Sequence, residues 1–315
     1  MSDLLDVKNV SISFTQYVKG LNQIDLKVIT DLTLNIKKGE IVAVLGSSGS
    51  GKSLLAHAIL GILPHNANLN GEISYKGQLL DEKLKEKYRG NGISLIPQSV
   101  NFLDPLMKIS KQVIGECKSE SEFLEKKKKQ EEIFEKYGLS KEVEDMYPFQ
   151  LSGGMARRVL VSTALLSNPD LVIADEPTPG LDEKSVKETL RNLKTMAESG
   201  VGILLITHDI HAAIEVADRI GIFYAGFVIE ITKTENFRGN GENLYHPYTK
   251  ALFNALPKNG FKLTKGHQPL HGEIPKGCPY FKNCPNPLEI CDKQRPQLRE
   301  YEDIKVRCFR YMEDY

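Results

Sequence analysis

The decisive stretch of the chain is residues 41–53, which read I-V-A-V-L-G-S-S-G-S-G-K-S. The apolar run predicts a buried strand, and the G-x-x-x-x-G-K-S that follows predicts a loop whose backbone N–H groups surround phosphate oxygens. Lys52 would bring a positive charge to the β- and γ-phosphates, and Ser53 would offer its hydroxyl to Mg²⁺. A helix beginning at Leu54 would point its positive end at the same anion. This context predicts a nucleoside triphosphate site formed by Gly46, Ser47, Ser48, Gly49, Ser50, Gly51, Lys52, Ser53 and Leu54.

Two acidic residues follow a second apolar run and complete the chemistry that a phosphate loop needs. Residues 171–174 read L-V-I-A and lead directly into Asp175 and Glu176. Asp175 is predicted to hold the Mg²⁺ shell, and Glu176 is predicted to polarise the attacking water.

Outside these motifs, apolar runs alternate with helical segments, which predicts a mostly parallel α/β sheet. The mixed charges of residues 116–137 predict a solvated amphipathic helix and not a nucleic-acid patch. The turn-rich residues 238–243 predict a linker. Strands are predicted at 4–14, 32–36, 41–45, 71–77, 93–97, 171–174 and 203–206, and helices at 54–63, 184–199 and 248–256.

Composition narrows the class of protein further. The 315 residues carry 41 basic and 41 acidic side chains, so no global charge favours nucleic acid or an anionic membrane. The first residues lack the basic and apolar regions of a signal peptide. The longest uncharged apolar stretch, residues 220–229, is far shorter than the ~20 residues that cross a bilayer. The sequence predicts a soluble cytosolic protein that can sit on a membrane protein.

A second anion-binding turn suggests a shared active site. Residues 151–155 read L-S-G-G-M and precede a helix at Ala156. A Ser-Gly-Gly turn at a helix N-terminus is a further anion site. One nucleotide does not need two anion-binding sites within the same chain. In a dimer, however, the second site of each chain could close over the nucleotide of its partner.

In order and type, these motifs resemble the ATP-binding subunit of an ATP-binding-cassette (ABC) transporter. The resemblance covers about residues 1–235, and it implies an α/β phosphate-loop core, an antiparallel β lobe and a helical lobe at about 98–155. The implied ABC domain is residues 1–238. The matching elements are residues 46–53, Gln98 after Ile96-Pro97, residues 151–155, residues 171–176, Gly180-Leu181-Asp182, and His208 within residues 206–209.

The resemblance also implies roles for single residues. Gln98 would sense Mg²⁺ and the attacking water and couple to the membrane partner. His208 would contact the γ-phosphate, and Asp182 would communicate across the dimer. The partner's nucleotide would be held by Ser152, Gly153 and Gly154.

An aromatic residue before the phosphate loop normally stacks on adenine in this family. Phe14 is the best match and Tyr17 the second, with Val28 packing on the same base. Two positions depart from the family pattern, since Met155 replaces the usual Gln and Pro179 replaces a small or hydroxyl residue.

The C-terminal residues 239–315 form a small Cys-rich extension whose opening, H-P-Y-T at 246–249, resembles peptide- and nickel-importer ATPases. Because it is short and rich in Pro and charge, the segment is expected to bury little core and to need a staple. Four cysteines could ligate a [4Fe–4S] cluster or a zinc ion, or remain plain thiols. They are Cys278, Cys284, Cys291 and Cys308, whereas Cys117 stands apart and is expected to have no mechanistic role.

The function implied by the resemblance is ATP hydrolysis that powers solute import, with ATP and Mg²⁺ as cofactors. The solute would be a peptide or a nickel or metallophore complex. The partners would be a second ABC ATPase, either identical or paralogous, two membrane permease subunits and an extracytoplasmic solute-binding protein, with no nucleic acid. The chain would lie on the cytoplasmic side of the membrane. Rival interpretations are a soluble ABC ATPase of DNA repair or translation, an ABC export ATPase, and a redox sensor built on the cysteines.

Overall fold

The predicted strand at residues 41–45 lies inside an eight-stranded sheet in the computed structural model, which describes residues 3–17, 20, 22–262 and 266–312. Its side chains alternate between two hydrophobic cores, one on each face of the sheet. Ile41, Ala43 and Leu45 enter one core, and Val42 and Val44 enter the other. Because both faces are covered, every position of this strand is apolar.

The helices and strands follow one another along the whole described chain. The strands are β1 Leu5–Tyr17, β2 Gln23–Ile36, β3 Ile41–Leu45, β4 Ala67–Tyr75, β5 Gln78–Leu79, β6 Ile93–Ile96, β7 Leu171–Asp175, β8 Gly202–Thr207, β9 Arg219–Tyr224, β10 Phe227–Lys233, β11 Arg299–Tyr301 and β12 Ile304–Val306. The α-helices are α1 Lys52–Leu60, α2 Glu82–Tyr88, α3 Ile109–Ile114, α4 Glu120–Lys136, α5 Gly153–Leu165, α6 Glu183–Glu198, α7 Ile210–Val216, α8 Pro247–Asn254 and α9 Ile290–Lys293.

The large sheet has the strand order β11-β12-β10-β9-β3-β8-β7-β6. Its part from β9 to β6 is parallel, and β10, β12 and β11 continue it in antiparallel pairs. The carboxyl ends of parallel strands meet at one edge, where ligands bind in open α/β sheets. The loops after β3, β7 and β8 therefore open on the same edge.

The antiparallel β lobe is a four-stranded sheet in the order β2-β1-β4-β5. The sequence predicts a strand that begins at Gly71, but β4 begins at Ala67 and runs through that glycine. Gly71 has φ +100°, and a Cβ there would lie 2.6 Å from the carbonyl oxygen of Asn9. The glycine therefore marks a close crossing with β1 at a register shift and does not end the strand.

The apolar stretch at residues 220–229 is a β-hairpin that the sequence analysis did not predict. β9 and β10 pair around Ala225 and Gly226, whose φ values of +48° and +85° suit a two-residue hairpin turn. Every residue of these two strands is buried except Arg219 at the start of β9 and Lys233 at the end of β10. The stretch is therefore two core strands.

Helices α3, α4 and α5 lie between β6 and β7, where the resemblance implied a helical lobe, and the bounds of that lobe at about 98–155 stay a prediction. The charged segment at 116–137 forms α4, which begins after Ser119 and buries Ile133 and Phe134. α3, α4 and α5 pack on one another. Within the described ranges, no helix is both long and apolar enough to cross a membrane.

The C-terminal extension packs onto the ATPase core. β12 pairs with β10, so the last strands extend the large sheet. The prediction that this segment buries little core is wrong, because Tyr280, Phe309 and Met312 belong to the same hydrophobic core as Leu45. The domain boundary at residue 238 stays a prediction.

A buried hydrogen-bond network holds the start of the extension in place. The Glu230 carboxylate of β10 accepts hydrogen bonds from the backbone N–H groups of Tyr245 and His246, at 3.1 and 2.7 Å. His246 then caps α8 by accepting a hydrogen bond from the Tyr248 N–H. Burial lowers the pKa of His246 to about 3, so the ring is neutral and can accept that bond. The H-P-Y-T motif thus has a structural role at the junction.

Candidate active site

The phosphate loop lies between β3 and α1, at the carboxyl edge of the parallel strands. Lys52 is buried, and its Nζ donates hydrogen bonds to the carbonyl oxygens of Gly46 and Ser47, at 2.9 and 2.8 Å. Its Nζ also lies 3.9 Å from Glu176 Oε1. Burial lowers the pKa of Lys52, against the opposing effect of the nearby Glu176 and Asp175 carboxylates.

The candidate adenine-binding residues lie on the β lobe beside this loop. Val28 of β2 packs directly on the loop, because a Cβ on Gly51 would lie 2.4 Å from Val28 Cγ1. Gly51 has φ +93°, so glycine is required there for both reasons. Phe14 is half-buried on β1 opposite Leu26, and Tyr17 is largely exposed. The structure therefore places Val28 against the loop and Phe14 on the adjacent strand.

The candidate magnesium ligands are brought together from α1 and β7. Ser53 Oγ donates a hydrogen bond of 3.1 Å to Asp175 Oδ1. Burial raises the pKa of Asp175, partly offset by the Ser53 hydrogen bond. A hydroxyl and a carboxylate oxygen are ligands that Mg²⁺ accepts, so these two residues suit the ion.

Glu176 and His208 form a pair at the ends of β7 and β8. His208 Nδ1 lies 2.8 Å from Glu176 Oε2, with Glu176 buried and His208 half exposed. Glu176 has φ +46°, and its N–H donates to the Ile206 carbonyl oxygen of the adjacent strand. A non-glycine residue in this region is strained, and such strain concentrates at functional sites. The pair stands beside Lys52, where a bound phosphate would meet it.

Arg157 is a residue of this site that the sequence analysis missed. It is buried on α5, and burial lowers the pKa of its guanidinium. The guanidinium donates to the carbonyl oxygens of Pro97 at 2.6 Å and Gln98 at 2.9 Å. It also donates to the carbonyl oxygens of Pro177 and Glu176. Arg157 thus fastens α5 to the Gln98 loop and to the backbone of Glu176; the Ser-Gly-Gly turn of residues 152–154 at the start of α5 is called the signature turn below.

The sequence does not single out Arg157, because the neighbouring Arg158 carries the same charge and only the fold shows that Arg157 is the buried one.

Replacing Arg157 with Lys should lower kcat by roughly 10-fold to 100-fold, because a small displacement of a positioned group costs that much. A lysine keeps the charge but cannot reach carbonyl oxygens in several directions. The measurement is ATP turnover together with the Kd for ATP, which should change little. Arg158→Lys is the matched control, since among the described residues the Arg158 guanidinium donates to the Tyr137, Gly138 and Gly154 carbonyl oxygens and to none of the Arg157 partners. Equal kcat values for the two variants would contradict the role.

The signature turn and Asp182 lie together at a second place. Ser152 caps α5 by accepting a hydrogen bond from the Met155 N–H, and Ser152 and Gly153 are exposed. A Cβ on Gly154 would lie 3.8 Å from Ser185 Oγ, and that hydroxyl donates to Asp182 Oδ2 at 2.6 Å. Asp182 itself caps α6. The signature is therefore an open surface beside Asp182.

Gln98 lies on the loop that follows β6. Its side chain is exposed, and its carbonyl oxygen is held by Arg157. The role of Gln98 as a sensor of Mg²⁺ stays a prediction.

The four C-terminal cysteines line one small cavity, although 16 residues separate the last two in sequence. Cys278, Cys291 and Cys308 are buried, and Cys284 is half-buried. The Cys278 N–H donates to the Cys291 carbonyl oxygen at 2.7 Å, which joins two of the cysteine segments. Other side chains around the cavity include Tyr280, Phe281, Pro296 and Phe309.

Burial disfavours the thiolate form of three of these cysteines. Burial raises the pKa of Cys278 to about 12 and that of Cys308 to about 11, and it also raises the pKa of Cys284. Across the described residues, no three His, Cys, Asp or Glu side chains are grouped as ligands of one metal ion. Cys117 lies in the helical lobe, away from this set.

Two protein-family models match different parts of the chain. The family described as ABC transporter matches residues 29–179, and the oligopeptide/dipeptide transporter C-terminal region matches residues 229–291. The dipeptide transport ATP-binding protein DppD of Bacillus subtilis (strain 168) is 33% identical over 98% of this chain and 95% of its own length. The oligopeptide transport ATP-binding protein OppD of Escherichia coli (strain K12) is 32% identical over 99% of this chain and 94% of its own.

Solved structures of ABC transporter cassettes have a similar fold to this chain. The dimeric bacterial ABC transporter cassette MJ0796 has a TM-score of 0.62 and 30% identity, covering 75% of this chain and 99% of the cassette. That cassette has also been solved in a post-hydrolysis state bound to ADP and Pi. The cbiO1 protein of Clostridium perfringens, part of the cbiONQ ABC transporter complex, has a TM-score of 0.62 and 26% identity, covering 81% of this chain and all of its own.

Proposed function

The chain belongs to the ABC transporter ATP-binding subunits that carry the oligopeptide/dipeptide C-terminal region, and from this premise we propose that it hydrolyses ATP to drive peptide import through a separate permease. The observation that carries the proposal is the Glu176–His208 pair beside Lys52. In this arrangement a general base, a polar partner and a phosphate-binding cation meet at one edge of the sheet.

Each residue of the site has a distinct task in the proposed reaction. ATP supplies the phosphoryl group, and Mg²⁺ neutralises the charge that develops on it. Lys52 and the loop amides bind the phosphates, while Ser53 and Asp175 are suited to hold Mg²⁺. Glu176 orients and polarises water, and His208 holds the Glu176 carboxylate through its Nδ1 atom and would contact the γ-phosphate.

The active site is proposed to be completed by a second cassette. The exposed signature turn at Ser152 and Gly153 is an anion-binding surface for a partner's nucleotide. The related cassette MJ0796 is described as dimeric, which supports this arrangement. Alone, the chain should be mostly monomeric and hydrolyse ATP slowly. The partner cassette can be a second copy or a paralogue.

The proposed solute is a short peptide. The two relatives described above are named for dipeptide and oligopeptide transport, which favours peptides over nickel or metallophore complexes. The match to the oligopeptide/dipeptide C-terminal region also favours import over export or a soluble role. Two permease subunits and an extracytoplasmic solute-binding protein would complete the assembly, with this chain on the cytoplasmic side.

The helical lobe offers a surface for the permease. Phe102, Leu106 and Phe149 are large apolar side chains, all exposed, within the lobe that includes Gln98. Exposed apolar side chains grouped on one lobe are typical of interaction sites. We assign this surface to a cytoplasmic helix of the permease, which would reach Gln98 and so couple transport to the active site.

The test is peptide-stimulated ATP hydrolysis by the chain assembled with its permease and binding protein in vesicles. A dipeptide should stimulate hydrolysis, whereas a nickel complex should not. Leu106→Asp should abolish the stimulation and weaken permease association by roughly 10-fold or more, because it buries a charge in the interface. Leu106 is 87% exposed, so the variant should fold, and Leu79→Asp in the β lobe, at a site 55% exposed, is the matched control. Stimulation by nickel alone would overturn the choice of solute.

We further propose that Cys278, Cys284, Cys291 and Cys308 ligate one [4Fe–4S] cluster with a structural or regulatory role. Four thiols that share one cavity are the donor set that such a cluster takes. Iron binding would displace their protons, since metal ligands must be deprotonated. The cysteines lie outside the ATP motifs, so ATP chemistry would not need the electrons of the cluster.

The alternatives fit the cavity less well. Structural zinc prefers close cysteine pairs such as C-x2-C, and the spacing of these four cysteines contains none. A redox sensor built on free thiols needs lowered pKa values, but burial raises the pKa of Cys278, Cys284 and Cys308.

A further inference from the structure

The C-terminal extension reaches the phosphate loop directly. Ser47 Oγ donates a hydrogen bond of 3.0 Å to Oε1 of Gln268, a residue 221 positions away in the chain. The carbonyl oxygen of the same Ser47 accepts from Lys52 Nζ at 2.8 Å and from the Ser50 hydroxyl at 2.7 Å. Ser47 is therefore held on one side by the loop lysine and on the other by the extension.

The residues that come after Gln268 lie against the β lobe. The short turn His271–Glu273 packs on β2. Ile274 and Val28 both lie against Gly226. A Cβ added to this glycine would lie 3.9 Å from Ile274 Cδ1 and 2.6 Å from the Val28 carbonyl oxygen. Val28 in turn packs on Gly51 of the phosphate loop. Residues 266–277, which we call the strap, thus contact the surroundings of the loop at two separate points.

Both ends of the strap are hydrogen-bonded to residues 278–308, which we call the cysteine-bearing segment. At one end, Asn283 Nδ2 donates to the His267 carbonyl oxygen at 3.2 Å, and Asn283 immediately precedes Cys284. At the other end, the Arg295 guanidinium donates to the Pro275 carbonyl oxygen and lies 4.3 Å from the centre of the Phe227 ring. The strap ends one residue before Cys278.

We infer that Gln268 is a positioning residue of the nucleotide site, and that the strap makes ATP affinity depend on the cysteine-bearing segment. Gln268 orders the phosphate loop through Ser47, which reduces the conformational entropy that the loop would otherwise lose on binding ATP. Asn283 supports Gln268 by holding the neighbouring His267. The inference rests on the proposed function, since it assumes that the loop binds ATP.

The test measures the Kd for Mg²⁺-ATP with the full-length chain. Gln268→Ala should raise the Kd by roughly 3-fold to 10-fold, the effect of one neutral hydrogen bond. The kcat at saturating ATP and the Tm of the ATP-free chain should stay unchanged, because Gln268 is only half-buried and touches no reacting atom. Asn283→Ala should also raise the Kd. Gln297→Ala, an exposed glutamine of the same extension, is the matched control and should leave the Kd unchanged.

A double-mutant cycle separates the proposed contact from a general structural effect. Ser47→Ala and Gln268→Ala together should raise the Kd no further than the larger single effect, since both remove the same hydrogen bond. Additive effects, or an unchanged Kd for Gln268→Ala, would overturn the inference while leaving the proposed function intact. A wild-type chain that does not bind ATP would overturn both.

Discussion

Replacing Glu176 with Gln should abolish most hydrolysis at the site that this chain supplies, by roughly 100-fold or more, while ATP remains bound. The amide keeps the size of the side chain and its contact with His208, but it cannot take a proton from water. Because Lys52 and the loop amides hold the phosphates, ground-state binding should persist. The nucleotide should then trap the two cassettes in a closed dimer, which size-exclusion chromatography with Mg²⁺-ATP would detect.

A contrasting variant distinguishes catalysis from binding. Lys52→Ala should weaken ATP binding by roughly 10-fold or more, since it removes a charged hydrogen-bond donor from the phosphates. Glu188→Gln on the exposed face of α6 makes the same chemical change as Glu176→Gln at a distance from the site and should turn over normally. Wild-type hydrolysis by a transporter carrying Glu176→Gln in this chain alone would refute the assignment.

Protein purified without oxygen should be brown and contain about four irons per chain, if the four cysteines hold a [4Fe–4S] cluster. Replacing any one of Cys278, Cys284, Cys291 and Cys308 with Ser should remove most of the visible absorption and make the extension more sensitive to protease. The physical reason is that each cysteine supplies one of the four ligands, so the loss of any one leaves the cluster incompletely coordinated.

Cys117→Ser is the matched control for these variants, because Cys117 lies in the helical lobe and outside the cysteine cavity. It should keep both the iron and the colour. Colourless wild-type protein with one zinc per chain would instead support the zinc alternative. Protein with no metal and a protease-resistant extension would exclude both metals.

The phosphate loop and its strand could be predicted because one contiguous stretch, residues 41–53, specifies them. The pairing of Ser53 with Asp175 was also foreseeable, since the ends of parallel strands meet at one edge. Val28 contacts the loop at Gly51, a contact that was not predicted, and its packing on a base stays a prediction. The predicted features depend on short motifs and on the geometry of a parallel sheet.

Other features depend on contacts that no local pattern specifies. The β9–β10 hairpin was missed because its turn uses Ala225 at φ +48°, an uncommon residue for that conformation. Arg157 binds carbonyl oxygens of two distant loops, and carbonyl oxygens carry no signature in a sequence. The Gln268–Ser47 contact likewise joins two polar residues 221 positions apart. The cysteines could be identified as a set, but their meeting in one cavity required the fold.

The pairing of β12 with β10 limits how the ATPase can be isolated. If the chain were cut at residue 238, β10 would become an edge strand with a row of unpaired backbone groups. The Glu230 carboxylate would also lose the two amide donors that satisfy it. Such a fragment would be prone to strand-to-strand aggregation, so this ATPase and its extension should be expressed as one unit.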